Sequence, residues 1–157
     1  MSVEFLMKSV AIVRAARTLA EDDFWGNAVS TIELDSELPE DALSGIESFS
    51  HVEILFVFDR VTADKITVGA RHPRNNPDWP KIGIFAQRGK NRPNRIGSTI
   101  CRVLKREGRV LTVAELDAID GTPVLDIKPV MQEFLPRTAV VQADWSRQLM
   151  QDYWKVD

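Results

Sequence analysis

Apolar residues along the chain recur in short, β-branched runs rather than at helical spacing. Residues 9–14 (SVAIVR) are short and β-branched, and residues 28–34 (AVSTIEL) alternate apolar with polar. Residues 52–58 (VEILFVF) are apolar almost throughout, which predicts a strand buried on both faces or nearly so. Residues 65–70, 82–86, 96–104 and 109–116 continue the series, with Glu107-Gly108-Arg109 as a hairpin tip between the last two. Two segments read as helical. Residues 40–45 have Pro39 at a first-turn position and Gly45 as a stop. Residues 144–154 place Trp145, Leu149, Met150, Tyr153 and Trp154 on one stripe, a packing surface against the body or a partner chain. Many short strands without βαβ alternation predict a mainly β (α+β) chain, an antiparallel barrel rather than a Rossmann sheet.

The prolines and glycines are spread as turn punctuation, densest between residues 69 and 97, and there is no repeat or linker. One domain over residues 1–157 is expected, ending in a helix and without a second domain. The single cysteine, Cys101, excludes an intrachain disulfide framework and sits in an apolar strand as a buried thiol. With only His51 and His72 besides, zinc spacing is absent. No apolar run approaches the roughly 20 residues that span a bilayer. The first residues, with an acid and only a short apolar run, are not expected to act as a signal peptide. A cytoplasmic protein without a membrane anchor is the expectation.

Charge changes the picture. Residues 71–106 hold ten Lys or Arg against the single acid Asp78, whereas residues 21–59 hold eleven acids and no Lys or Arg. The two blocks can face each other within the fold or across a dimer, or the basic one can face an anion such as RNA or a phosphorylated metabolite. The densest chemistry is GIFAQRGKNRPNRIG, residues 83–97. Arginine forks bind carboxylates and phosphates bidentately, and asparagine amides either fix a loop or read a base edge. A second segment, residues 115–129, gathers Asp117, Asp120 and Asp126 around an Asp-Gly-Thr-Pro turn. Such acids arise as turn and ion-pair partners or as a magnesium site. His72, in the loop RHPRNNP, is freer to act than His51, which opens a strand. No phosphate-binding glycine motif follows a strand.

Three blocks, FSHVEILFVF, GIFAQRGKNRPNRIGSTI and LDAIDGTPVLDIKP, occur in the order found in the TrmO (TsaA-like) family, which they resemble over roughly residues 45–130. That resemblance implies a β-barrel methyltransferase dependent on S-adenosyl-L-methionine. The best-known members methylate N6 of threonylcarbamoyladenosine beside the tRNA anticodon. It implies a homodimer with the cofactor near the subunit interface. By position, Asp59, Arg60, Arg88, Ser98 and the run Ala114, Glu115, Leu116 and Asp117 match the cofactor pocket. Asn91, Arg92, Pro93 and Asn94 match the signature loop, and Lys90 and Arg95 add charge at its mouth, so Lys90, Asn91, Arg92, Asn94 and Arg95 are the RNA-binding candidates.

The chain departs from the family pattern in five respects. Gly89-Lys90 stands for Ser-Pro, Arg95 for Pro, and Asp59 follows the strand where His is frequent. TLAEDDFWGNAV, residues 18–29, stands where a Pro-Arg-Gln motif contacts the cofactor, and no C-terminal domain is expected after the helix. Methyl transfer from a sulfonium is a displacement governed by alignment, so neither metal nor reactive cysteine is needed. His72, Asp59 and Asp117 are candidate general bases. Methylation of a small molecule, and a non-catalytic cofactor- or RNA-binding module, are the alternatives.

Overall fold

A computed structural model describes residues 1–157. Six antiparallel strands close a barrel: β1 (Ala11–Ala15), β2 (Val29–Leu34), β3 (His51–Val57), β6 (Ile96–Glu107), β7 (Val110–Ala114) and β8 (Pro123–Pro129). Their order around the barrel is β1-β2-β7-β6-β3-β8. Two short strands, β4 (Ala70–Arg71) and β5 (Ile82–Gly83), pair separately in the excursion between β3 and β6. The one α-helix, α1 (Asp144–Leu149), lies near the C-terminus. No helix is long and apolar enough to cross a membrane.

Alternation decides which side chains fill the barrel. On β3, Val52, Ile54 and Phe56 are buried while Glu53, Leu55 and Val57 are half-buried on the outer face. The apolar run is therefore inward-facing on one side only, not buried on both. The interior is filled by twelve residues, among them Val13, Ile32, Phe56, Leu111, Leu116 and Val124. A small barrel of this kind is a packed core, not a channel. Closure depends on the long strand β6, which pairs with β3 through Ile96–Arg102 and with β7 through Arg102–Glu107. The register shift between Val103 and Lys105 lets it pass from one partner to the other, as a bulge bends a strand. Gly97 allows close approach, since a Cβ there would lie 2.5 Å from the Phe56 ring. Phe56 in turn meets Phe58 edge-on at 5.3 Å.

Several elements differ from the sequence reading. The segment 65–70 is not a strand: a 3-10 turn over Ala63–Lys65 is followed by irregular chain, and only Ala70–Arg71 pairs. Residues 82–86 split into β5 and a 3-10 turn, Ile84–Ala86. Both segments lie outside the barrel and have no long partner strand to extend them. β8 was not expected, because its acids read as turn chemistry. Its prolines stand at its two ends, where ladder donors are not needed. The predicted helix at residues 40–45 is a 3-10 turn, Glu40–Leu43, and the C-terminal helix ends at Leu149 before a run of turns.

Because every neighbouring pair is antiparallel, the connections sort to two ends. Residues 16–28, 58–95 and 115–122 leave one end, and residues 35–50 and the tight turn at 108–109 leave the other.

Candidate functional site at one end of the barrel

All six non-glycine residues with positive φ lie in the three connections at that first end: Phe24, Arg74, Asn75, Asn94, Arg95 and Glu115. Left-handed backbone is costly for side-chain-bearing residues and collects where function requires it. The signature loop is the clearest instance, with Asn94 at φ 61 and Arg95 at φ 53 immediately before β6.

Three blocks distant in sequence meet here. Arg88 donates from Nη2 to the Ser98 carbonyl at 2.6 Å. The Ser98 hydroxyl donates to Glu53 Oε1 at 2.7 Å, from β6 to β3. One residue on, the Thr99 hydroxyl donates to Asp117 Oδ1, while Tyr153 donates to Asp117 Oδ2. Burial, then the charge and hydrogen bond of Asp117, push the Tyr153 phenol well above its ordinary value, while Arg88 and Arg74 pull the other way. Arg74 grips Asp23 with two bonds, 2.9 and 3.1 Å. Beside this cluster lies an open hollow of about 390 Å³ walled by Gly26, Ile100, Glu115 and Trp154. A second, of about 370 Å³, is walled in part by Arg17, Trp25, Asn27 and Ala118. Arg17 stacks over Trp25 at 3.8 Å. The segment at residues 18–29 thus contributes to both hollows.

The other candidates fall into distinct roles. Arg60 donates to the carbonyls of Thr18 (2.7 Å) and Asp120 (3.1 Å), so it ties the three connections together. Arg92 donates to Gln87 O and Arg95 to Val61 O, each at 2.6 Å. These two half-buried arginines build the loop as well as charging it. Asn91 accepts the Thr67 amide through its carbonyl. Lys90 and Asn94 are exposed. Ala114 and Leu116 are buried in the barrel, so of that run only Glu115 and Asp117 present side chains to the site. Asp59 is exposed at the end of β3. His72 contacts the Trp79 carbonyl from Nδ1 at 2.8 Å, and since a carbonyl only accepts, Nδ1 is the donor, which in the neutral ring leaves Nε2 as the acceptor nitrogen.

The three aspartates do not converge. Asp117 faces the hydroxyls, Asp120 accepts the Ala15 amide at 3.1 Å, and Asp126 pairs with Lys128 at 2.7 Å. No group of three or more His, Cys, Asp or Glu is placed to hold a metal ion. Burial, with Asp117 and Glu115 adding to it, raises the Cys101 thiol far above its ordinary value, so it stays protonated. Sequence reasoning missed Thr99, Glu53, Arg74 and Tyr153. Thr99 is inside the signature block, but only the fold brings the other three to the site.

These features define a class: a closed antiparallel barrel whose one end gathers left-handed backbone and cationic side chains as a candidate ligand site. Comparison with known proteins makes it specific. Residues 20–134 match the family described as tRNA-methyltransferase O N-terminal domain, and the chain belongs to that family. It is 44% identical over 96 residues to the tRNA (adenine(37)-N6)-methyltransferase of Homo sapiens, covering 61% of this chain and 21% of that protein. It is 46% identical over 90 residues to a "Probable S-adenosyl-L-methionine-binding protein" of Archaeoglobus fulgidus, covering 57% of this chain and 23% of that one. The chain thus spans under a quarter of the length of these curated relatives. The crystal structure of TrmO from Pseudomonas aeruginosa superposes with a TM-score of 0.71 at 26% identity, over 90% of this chain and 63% of that one.

Proposed function

We propose that the chain is an S-adenosyl-L-methionine-dependent methyltransferase acting on N6 of a modified adenosine, threonylcarbamoyladenosine, in tRNA. In this reading it works in the cytoplasm as a homodimer. The observation that carries the reading is the convergence of Glu53, of Arg88 with Ser98, and of Asp117, from the three signature blocks, at one end of a barrel of this family.

The residues present suit the cofactor. Its amino-acid end is zwitterionic, so it needs a cation for the carboxylate and an acid for the ammonium. Arg88 is exposed and commits one nitrogen to Ser98, which leaves donors for a carboxylate. Glu115 and Asp117 supply the acids. When bound, S-adenosylmethionine provides a methyl group on a positive sulfur, open to direct displacement. The chain's part is alignment and charge. Asp117, with each oxygen already accepting a hydroxyl, suits charge stabilisation better than proton abstraction. His72, with Nε2 free, is the better candidate for taking the proton from the acceptor nitrogen.

Adenine N6 is reached only when the base is unstacked, and an anticodon loop offers it at low cost. The exposed Lys90 and Lys81 sit on the excursion between β3 and β6 and would meet phosphates. Lys90→Ala is expected to lower RNA affinity and to reduce the salt slope of binding by about 0.7 for single-stranded RNA. Filter binding across a salt series reads both, and an unchanged slope would remove Lys90 from the phosphate contacts.

The activity is tested with labelled S-adenosylmethionine and tRNA that carries threonylcarbamoyladenosine. Label is expected in that nucleoside after digestion. Cofactor binding without transfer to tRNA would overturn the tRNA reading in favour of a small-molecule acceptor or a sensor.

A further inference from the structure

We infer that Tyr153 is a positioning residue for Asp117, delivered to the site by a C-terminal strap that lies beyond the family-matched residues 20–134. The inference rests on the proposed cofactor site and adds to it a residue and a segment. After β8 the chain leaves the far end of the barrel, yet residues 152–155 are back at the ligand-binding end. There the amides of Phe24, Trp25 and Gly26 donate to the carbonyls of Asp152, Tyr153 and Lys155 at 3.1, 2.7 and 3.4 Å. The strap is thus laid along residues 24–26, within the segment that stands where the family carries its Pro-Arg-Gln motif. Gly26 is required for this contact, because the Trp154 carbonyl occupies the space a Cβ would take. Trp79 pins the preceding helix by donating from Nε1 to Gln148 at 2.9 Å.

The outcome is a two-sided clamp on one carboxylate. Thr99 on the barrel holds one oxygen of Asp117 and Tyr153 on the strap holds the other. Trp154, edge-on to Tyr153 at 5.0 Å, forms a wall of the adjacent hollow. Three backbone bonds already dock the strap, so the phenol is not needed to hold it in place. The hydroxyl fixes the plane of the carboxylate that would face the cofactor's positive end. Burial and the neighbouring Asp117 charge hold its pKa above the ordinary tyrosine value, which keeps it protonated and a donor.

The test is calorimetric titration with S-adenosylhomocysteine of the wild type, Tyr153→Phe, Asp117→Asn and the double variant, each checked by thermal melting. Tyr153→Phe is expected to weaken binding about fivefold, less than the loss of a direct charged contact, because the phenol acts on the ligand only through the carboxylate it orients. In the Asp117→Asn background the same change should have no further effect, because its target is gone. A merely structural tyrosine would give the same loss in both backgrounds, and that additivity, or an unchanged affinity, would overturn the inference. Gly26→Ala, which displaces the strap while keeping Tyr153, should reproduce the loss, and an affinity equal to wild type would likewise overturn it. A wild type that binds no S-adenosylhomocysteine would overturn the cofactor reading itself, and this inference with it.

Discussion

Arg88→Ala is expected to weaken S-adenosylmethionine binding more than tenfold. The guanidinium is anchored to the Ser98 carbonyl through one nitrogen, so its fork is held in place with further donors facing solvent. A ligand carboxylate that closes on it would turn an exposed cation into a charge-assisted pair. Hydrogen bonds to charged groups contribute about 1.5–3 kcal/mol, and about 1.4 kcal/mol is a factor of ten in affinity. Folding should be little affected, since the lost bond lies on the surface. Calorimetry gives the affinity and thermal melting the control. An affinity equal to wild type would remove Arg88 from the pocket.

Phe56→Ala is expected to destabilise the barrel by about 3–5 kcal/mol, the range for emptying a buried aromatic site. Phe56 is 2% exposed, and its ring fills the space that the missing Cβ of Gly97 leaves open. Gly97 cannot move in to fill the void, because the β3–β6 register pairs it with Phe56 itself. A loss of that size is a large part of a stability of about 5–15 kcal/mol. Urea unfolding reads it as a fall in midpoint at constant slope. A change below about 1 kcal/mol would mean that the interior can collapse around the gap. The same substitution should impair the ligand site, since β6 carries Ser98 and Thr99 on the register that Phe56 and Gly97 set.

The sequence made the barrel legible wherever side chains alternate. The runs that became β1, β2, β3, β6 and β7 each have an apolar face dictated by a period of two. β8 was not legible, because Asp126 and Lys128 on its outer face look like loop chemistry until β3 is seen pairing with it. Residues 65–70 misled in the opposite way. Ile66, Thr67 and Val68 favour strands locally, but in the excursion no neighbouring strand is available to them, and Val68 is exposed. For the site, the signature loop was visible as a run of cations and amides. Its division of labour was not. Arg92 and Arg95 are loop anchors because their guanidinium groups turn back onto the Gln87 and Val61 carbonyls, which composition does not encode. Tyr153 was placed on a packing stripe by its helical spacing, yet the helix stops at Leu149 and the turns after it redirect the phenol to Asp117.

The central claim is that this barrel end is a methyltransferase-type pocket. Calorimetric titration of the purified protein with S-adenosylmethionine and S-adenosylhomocysteine tests it most directly. Micromolar binding of both is expected, at one site per chain, and it should be weakened more than tenfold in Arg88→Ala. No heat of binding for either compound at high micromolar concentration would contradict the claim. It would mean that the segment around Trp25-Gly26-Asn27 does not replace the Pro-Arg-Gln motif and that the cationic end serves another ligand.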